Sequence, residues 1–197
     1  YGKQLGDALI EQYIGDEGRY PEAVGIVFWA GSNMRSHGQC IAELFYLMGV
    51  RPIWLRPSQR VCALEVIPLA DLKRPRIDVT ARISGLFRDA VPNAVHWVDE
   101  AVRMVRDLDE SDAENYVRKH VLSDTAWLEE QGEVRESAWE RASVRIFGDP
   151  PGAYGAGIGD LLESKAWETL DDLAAVYTRF SGTAYGGDGF ARGYDPE

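Results

Sequence analysis

The sequence predicts an α/β fold, with a short, mostly parallel sheet and flanking helices followed by a helical subdomain. Two observations predict it. In residues 1–90, short uninterrupted apolar runs typical of buried parallel strands alternate with amphipathic helical segments. In residues 91–185, apolar residues recur mainly at helical spacing. Hydrophobic residues make up 45% of the 197 residues and aromatic residues 11%, which is enough to fill a sizeable core and excludes intrinsic disorder.

In the first half of the chain, helices and strands are predicted in alternation. Residues 4–14 have the apolar spacing of a helix, and residues 23–29 form an apolar run that predicts a buried strand. Asn33 or Ser36 can cap the next helix, which Gly49 ends. Three further strands are predicted, the last half-exposed because its polar and apolar residues alternate: 52–54, 61–67 and 77–83.

The second half continues with helices. Residues 94–108 carry their valines on one stripe. Ser111 and Glu114 have the spacing of a capping box, for a helix that runs to Trp127. Two more helices are predicted at 133–146 and 170–180. Between them lies a loop rich in glycine and proline, at 148–159.

This pattern divides the chain into three parts. Residues 1–90 form an α/β layer, half of a flavodoxin-like arrangement, and residues 91–185 form the helical subdomain. Residues 186–197 are expected to be a flexible glycine-rich tail. The chain begins with Tyr1 rather than Met, and we interpret it as an interior segment of a larger subunit.

Composition excludes several classes of protein. The net charge is −11, from 21 Lys and Arg against 32 Asp and Glu, whereas a nucleic-acid-binding domain is basic. The longest uncharged apolar run has about eight residues, 23–30, too few to span a bilayer. Cys40 and Cys62 lie in apolar runs and predict reduced core thiols. With no signal peptide visible, we expect a cytoplasmic protein without a membrane span.

Charge is unevenly distributed along the chain. Residues 51–90 contain eight basic and four acidic residues, whereas residues 99–140 contain 13 acidic and five basic residues. An anionic ligand is therefore expected to bind in the first half.

Familiar catalytic motifs are absent from the sequence. No glycine precedes Lys–Ser or Lys–Thr, so we expect that this chain does not hydrolyse ATP itself. The loop at 149–157 can cradle an anion with its backbone N–H groups, or be a structural turn. The three histidines have no metal-binding spacing, no CxxC is present, and we expect no metal site.

Two turns carry the candidate binding residues. Arg35 and His37 follow the strand at 23–29, and Ser84, Arg88 and Asp89 follow the strand at 77–83. In α/β sheets, ligands bind beyond the carboxyl ends of strands, so these turns predict one site. The alternative is that these side chains only cap helices and form ion pairs within the fold.

The entrance to that last strand is rich in arginine. Pro75 excludes helix at Arg74, and Arg76 and Asp78 follow at once. Two interpretations stay open: a buried ion-pair brace, or an arginine-lined pocket for carboxylates, which the planar guanidinium recognises.

Ordered blocks of sequence resemble a known family. They are WAGSNMRSHG, RPRIDV, SGLFRD, NYVRKH and RIFGDPPGAYGAG, at 29–38, 74–79, 84–89, 115–120 and 145–157. Together they resemble the large, tetrapyrrole-binding subunit of the cobalt and magnesium chelatases. The glycine-rich last block, with AYG at 184–186, is more similar to the cobalt branch. Small departures occur at Ala30, Gln39, Cys40 and Lys73.

The resemblance implies insertion of Co²⁺ into the corrinoid precursor hydrogenobyrinic acid a,c-diamide during cobalamin biosynthesis. It implies that separate AAA-type partner subunits use ATP and Mg²⁺, that Co²⁺ is a substrate, and that this segment binds no cofactor of its own. Its partners would be the rest of the large subunit, the ATPase subunits and the tetrapyrrole, with no nucleic acid.

The same resemblance suggests roles for particular residues. His37 is the candidate catalytic base that accepts a pyrrolic proton. The candidate substrate-binding residues are Arg35, Arg76, Arg82, Ser84, Arg88, Asp89, Arg118, His120 and Tyr154. Alternatives are a porphyrin-binding subunit of the magnesium type, a non-catalytic tetrapyrrole- or partner-binding module of this family, or an unrelated flavodoxin-like domain. The last is disfavoured because the first strand lacks a phosphate loop.

Overall fold

The computed structural model describes residues 1–186 and 190–192. In chain order its elements are α1 (Gly2–Glu17), β1 (Ala23–Phe28), α2 (Ala30–Arg35), α3 (Gln39–Met48), β2 (Val50–Leu55), β3 (Arg60–Val66), α4 (Leu69–Leu72), β4 (Asp78–Ile83), α5 (Gly85–Ala90), α6 (Pro92–Arg106), α7 (Tyr116–Glu130), α8 (Arg135–Ala142), β5 (Ile146–Gly148), α9 (Gly159–Ser164), α10 (Leu170–Phe180), β6 (Thr183–Gly186) and β7 (Phe190–Arg192).

The main sheet has the strand order β1-β4-β5-β6-β7. The β1–β4 and β4–β5 pairs are parallel, whereas β5–β6 and β6–β7 are antiparallel, so four of these five strands run in one direction. The predicted α/β class, with a mostly parallel sheet and flanking helices, is confirmed. β2 and β3 form a separate antiparallel hairpin, which the sequence did not reveal.

One face of the sheet carries the main core. The side chains of Val79, Ala81 and Ile83 point alternately away from those of Thr80 and Arg82, as in any strand. The first three are buried with α3 and α6 in one apolar cluster. A smaller cluster joins α7 to α8.

Burial of the strands corrects two expectations. β1 is an edge strand with alternating exposure, and Val27 has 45% of its surface exposed, so the prediction of a buried strand is wrong. β4 is central, with parallel neighbours on both sides, and it is mostly buried instead of half-exposed. Apolar character alone does not distinguish a central from an edge strand.

Several predicted element boundaries are also wrong. α3 begins after Gly38, with no side-chain cap, instead of at Asn33 or Ser36. α7 is capped by Asn115 instead of Ser111. The helix predicted over residues 133–146 ends at Ala142, and the last residue of that range, Ile146, begins β5.

Cys40 and Cys62 are free thiols. Cys40 is partly buried, but Cys62 is exposed on β3, so the prediction of a core position is wrong for Cys62.

Strands from both sides of residue 90 share the main sheet. The division of the chain at that residue stays a prediction. Gly186 ends β6, and residues 190–192 form β7 beside it. The rest of the predicted tail, 187–189 and 193–197, lies outside the described residues.

Candidate functional site

The carboxyl ends of three parallel strands meet at one edge of the sheet. β1 leads into Trp29 and α2, β4 leads into Ser84 and α5, and β5 leads into the loop that starts at Asp149. Ligand sites of α/β sheets lie at this edge.

Asp149 joins two of these strand ends. It has 1% of its surface exposed, and its carboxylate accepts hydrogen bonds from Arg82 Nη2 and from the Gly85 backbone N–H, both at 2.8 Å. A Cβ atom on Gly85 would lie 2.2 Å from the carbonyl oxygen of Ala153, so only glycine allows the loop to pass this close. The block SGLFRD and the loop of GDPPGAYG therefore form one structure.

Arg82 lies at the centre of the edge. Its Nη2 also donates to Ser181 Oγ at 3.1 Å and to the Gly155 carbonyl at 3.3 Å. The rings of Trp29 and Tyr177 lie 5.3 and 5.5 Å from its Cζ atom. Its Nε and Nη1 are buried and have no hydrogen-bond partner among residues 1–186 and 190–192. Leaving a buried donor unpaired costs about 1–3 kcal/mol.

Arg88 holds the loop that follows β5 in place. Its Nε and Nη2 donate to the two oxygens of Asp89 at 2.7 and 2.9 Å. Its Nη1 donates to the carbonyls of Asp149 and Pro150 at 3.1 and 2.7 Å. These contacts occupy the fork that would bind a ligand's carboxylate, so the geometry favours a positioning role for Arg88.

Asp89 and Tyr154 form the exposed rim. The Tyr154 hydroxyl donates to Asp89 Oδ2 at 2.7 Å. The hydrogen bonds from Arg88 and then Tyr154 lower the pKa of Asp89, and the carboxylate acceptor raises the pKa of Tyr154. Ser84 is buried and caps α5 by accepting a hydrogen bond from the Phe87 backbone N–H.

His37 lies beside a different cavity. It is exposed, has a φ of 56°, and is followed by Gly38 at 81°. A groove of about 560 Å³ separates α3, the β2–β3 hairpin and the start of α6, and its lining includes His37, Trp54 and Trp97. Arg82 does not line it. Arg35 is exposed in the last turn of α2.

Arg76 lies at the amino-terminal end of β4, away from the edge described above. Only 1% of its surface is exposed. Its Nε and Nη2 donate to Glu110 at 2.7 and 2.9 Å, and its other donors bind the carbonyls of Gly49 and Ile67. We therefore place Arg76 in the framework of the fold instead of the candidate site.

Residues of the NYVRKH block also make contacts near the amino-terminal end of β4. Arg118 Nη1 donates to the Arg106 carbonyl at 3.1 Å. His120 Nδ1 lies 2.8 Å from Asp78 Oδ2, and Arg145 Nε binds the same carboxylate. The hydrogen bond to Asp78 raises the pKa of His120. His120 lines an open cleft of about 890 Å³ between the sheet and the α7–α8 pair.

The structure thus brings together Arg82, Ser84, Arg88, Asp89 and Tyr154, and separates them from His37, Arg76, Arg118 and His120. Sequence reasoning missed the contributions of Trp29, Asp149, Tyr177 and Ser181. Asp149 had a signal, because it follows a short apolar run in a quoted block. Tyr177 and Ser181 had none.

Neither a metal centre nor a membrane-spanning helix is found among the described residues. No group of three or more His, Cys, Asp and Glu side chains in this part of the chain is arranged to hold a metal ion. Across the same residues, no helix has the length and apolar character needed to cross a bilayer.

Comparisons with known proteins define the class of this chain. The sequence model of the CobN/Magnesium Chelatase family matches residues 1–195. The chain belongs to this family. The blocks that carry the resemblance, from WAGSNMRSHG to AYG, lie within the matched residues.

Particular relatives have the following similarity. The chain is 43% identical over 185 residues to the aerobic cobaltochelatase subunit CobN of a Sinorhizobium species, covering 94% of this chain and 14% of that protein. It is 35% identical over 190 residues to a magnesium-chelatase subunit of Cereibacter sphaeroides, covering 96% and 15%. The solved catalytic subunit of cobaltochelatase from Mycobacterium tuberculosis superimposes with a TM-score of 0.87 at 48% identity, covering 95% and 15%. The chain therefore spans about a seventh of the length of these relatives.

Proposed function

We propose that this chain is a segment of the large subunit of an ATP-dependent cobaltochelatase, where it helps bind a corrinoid tetrapyrrole and insert Co²⁺ during cobalamin biosynthesis. The observation that carries the proposal is the 48% identity, at a TM-score of 0.87, to the catalytic subunit of a cobaltochelatase. Identity to the magnesium-chelatase subunit of Cereibacter sphaeroides is lower, at 35%. Similarity this close over 95% of the chain supports the cobalt branch.

The work is divided between chains in this proposal. The sequence lacks the Gly–Lys–Ser/Thr signature of a phosphate-binding loop, so AAA-type partner subunits would use ATP and Mg²⁺. Co²⁺ and hydrogenobyrinic acid a,c-diamide are the substrates, and the segment binds no cofactor of its own. The complex would assemble with the rest of the large subunit in the cytoplasm.

The carboxyl edge of the sheet supplies the contacts to the macrocycle's periphery. Arg82 and the exposed Arg35 carry the positive charge that carboxylates require. The bonds of Arg88 to Asp89 and to the loop hold Tyr154 at the rim, which fixes the shape of the surface.

His37 is the proposed proton acceptor. Metal insertion replaces two pyrrolic N–H protons, and a base beside the ring lowers the barrier to their removal. The left-handed backbone of His37 is a conformation that non-glycine residues rarely adopt and that is enriched at functional sites. Trp54 and Trp97 give the adjoining groove apolar walls on which a flat ring can pack.

Metal insertion by the full-length protein tests this assignment. His37→Gln should lower the rate of Co²⁺ insertion by about 10²-fold, in the range that a general base contributes, without loss of corrinoid binding. The matched control is His120→Gln, which removes a histidine at the opposite end of the sheet and should leave the rate within a few-fold of wild type. Equal rates for His37→Gln and wild type would refute the role of His37. Insertion of Mg²⁺ into protoporphyrin, with no activity on the corrinoid, would refute the cobalt assignment.

A further inference from the structure

Arg82 combines burial with unused hydrogen-bonding capacity. Its side chain is 12% exposed. Asp149, Gly155 and Ser181 all accept from the same nitrogen, Nη2. The Nε and Nη1 donors have no partner in the described ranges, 1–186 and 190–192. Buried polar groups are normally paired, so a guanidinium held in this way is suited to gain another acceptor.

The cover over Arg82 comes largely from one helix. Tyr177 lies on α10 and Ser181 directly follows it. The Tyr177 ring lies 5.5 Å from Arg82 Cζ, and the Ser181 hydroxyl accepts from Nη2. Trp29, at the end of β1, contributes the second ring at 5.3 Å. The side of Arg82 that faces α10 is therefore covered by residues that are not part of the sheet.

α10 is weakly attached to the rest of the fold. None of its residues is buried, and its apolar stripe of Leu173, Val176 and Phe180 is only half-buried. Elements with few buried apolar contacts open locally at a low free-energy cost.

Glycines flank this helix at the positions where a hinge is needed. Gly155 has a φ of 98° and no atom within 4 Å of its Cβ direction. Gly157 packs so closely on Phe180 that a Cβ would lie 2.2 Å from the ring, and this contact joins the chain after Gly155 to the end of α10. Gly182 follows the segment on the other side. Hinges are a few residues at element ends that absorb changes of φ and ψ.

We propose that residues 156–181 form a gate over Arg82, and that its opening lets the unpaired Nε and Nη1 donors, which lie on different edges of the guanidinium, each bind a carboxylate oxygen of the bound ligand. When the gate is closed, Tyr177 and Ser181 hold the guanidinium. When it is open, Asp149 still fixes Arg82 through Nη2, so the donors stay oriented. The ligand class, a polycarboxylate macrocycle, rests on the proposed function. The gate itself rests only on the geometry of this chain.

Chemical modification measures opening without any ligand. Phenylglyoxal reacts with accessible guanidinium groups, and mass spectrometry of peptides from the full-length protein gives a rate for each arginine. Arg82 should react measurably faster than Arg76, which is buried in the core, and slower than in the urea-unfolded protein. Tyr177→Ala should accelerate modification of Arg82 by about tenfold, because it removes part of the cover.

The matched control is Thr178→Ala, on the exposed side of the same helix, which should leave the rate of Arg82 unchanged. The gate is refuted if Arg82 reacts as slowly as Arg76 in both wild type and Tyr177→Ala. It is also refuted if Thr178→Ala accelerates the reaction as much as Tyr177→Ala, since that result would show general loosening of the helix.

Protection by ligand separates this inference from the proposed function. Saturating hydrogenobyrinic acid a,c-diamide should slow modification of Arg82, and its methyl ester should not. If tryptophan fluorescence shows that the corrinoid binds while Arg82 is not protected, the carboxylate contact is wrong and the proposed function stands. If the corrinoid does not bind at all, the proposed function fails, and the modification rates of the variants still decide whether the gate exists.

Discussion

At the scale of single residues, buried ion pairs of β4 and its neighbours hold the sheet to the helices. Arg76 has 1% and Glu110 14% of the side chain exposed, and two hydrogen bonds join them. Removing one member of a buried pair leaves the other charged, without a partner and poorly solvated.

Arg76→Met should therefore destabilise the chain by about 3–5 kcal/mol. The control is Arg51→Met, because the Arg51–Glu65 pair is 60% and 47% exposed, is screened by solvent and should contribute little to stability. Urea unfolding of the 197-residue chain, followed by tryptophan fluorescence, measures both. Similar losses for the two variants would contradict the assignment of Arg76 to the framework.

His120 links stability to pH. The hydrogen bond to Asp78 raises its pKa above the ordinary 6.5, with a smaller contribution from Glu22, while burial and Arg145 act in the opposite direction. Lys119 forms an ion pair with Glu22, the second carboxylate near the His120 imidazole. A raised pKa in the folded state means that the imidazolium stabilises the fold fully below about pH 6.5 and that this contribution is lost as the pH rises through the folded-state value.

The free energy of unfolding should thus differ most between wild type and His120→Gln at about pH 6, and the difference should shrink as the pH rises. His37→Gln is the control, since His37 is exposed and lies beside a different cavity from the one that His120 lines. A difference that stays constant or grows with pH would show that the His120 imidazolium does not contribute in this way.

At the scale of elements, capping decides where α7 begins. Asn115 is fully buried, its Oδ1 accepts from the Arg118 backbone N–H, and its Nδ2 donates to the Val105 carbonyl and to Glu110. Ser111 and Glu114 bond to each other in an exposed turn before the helix.

Asn115→Ala should cost about 2–4 kcal/mol, because it removes a helix cap and leaves buried groups without partners. Ser111→Ala is the comparison and should cost less than about 1 kcal/mol, since its partners are exposed. Thermal unfolding monitored by far-ultraviolet circular dichroism is a suitable measurement. An equal loss for the two variants would mean that the cap is not the source of the effect.

The positions of the helices follow from the sequence more closely than their boundaries do. Periodicity located α1, α3, α6 and α10, because an amphipathic stripe is a local property. The prediction of Ser111 as the cap of α7 is wrong, because Ser111 and Asn115 are both good cap residues and the local pattern does not rank them. Asn115 prevails through its contacts with Val105 and Glu110, which come from tertiary structure. The local pattern also extends a predicted helix to Ile146, the first residue of β5, but pairing with β4 overrides it.

The candidate site was predictable to a similar degree. The rule that ligand sites lie at the carboxyl ends of strands located Ser84, Arg88 and Asp89 correctly at this edge. That rule did not separate Arg82, which keeps unpaired donors, from Arg88, whose donors bind Asp89 and the loop. It also gave no indication of Tyr177, which reaches Arg82 from a distant part of the chain.

At the scale of the whole molecule, the chain is a folded α/β unit that exposes large apolar side chains at the carboxyl edge of its main sheet. Trp29, Met34, Leu86 and Tyr154 are between 47% and 61% exposed around the carboxyl ends of the strands. The solved cobaltochelatase protein is several times longer, since this chain covers 15% of it. In the proposed function, the macrocycle and the rest of the large subunit cover this edge.

Titration of the full-length protein with hydrogenobyrinic acid a,c-diamide, with protoporphyrin as competitor, tests the central claim most directly. Quenching of tryptophan fluorescence reports binding, and the segment alone contributes six tryptophans. The proposed function predicts saturable binding of the corrinoid in the micromolar range, in preference to the porphyrin, and the contact to Arg82 predicts weaker binding by Arg82→Met. Preference for protoporphyrin, or no saturable binding of the corrinoid, would contradict the proposed function, whereas corrinoid affinity unchanged by Arg82→Met would contradict only the contact to Arg82.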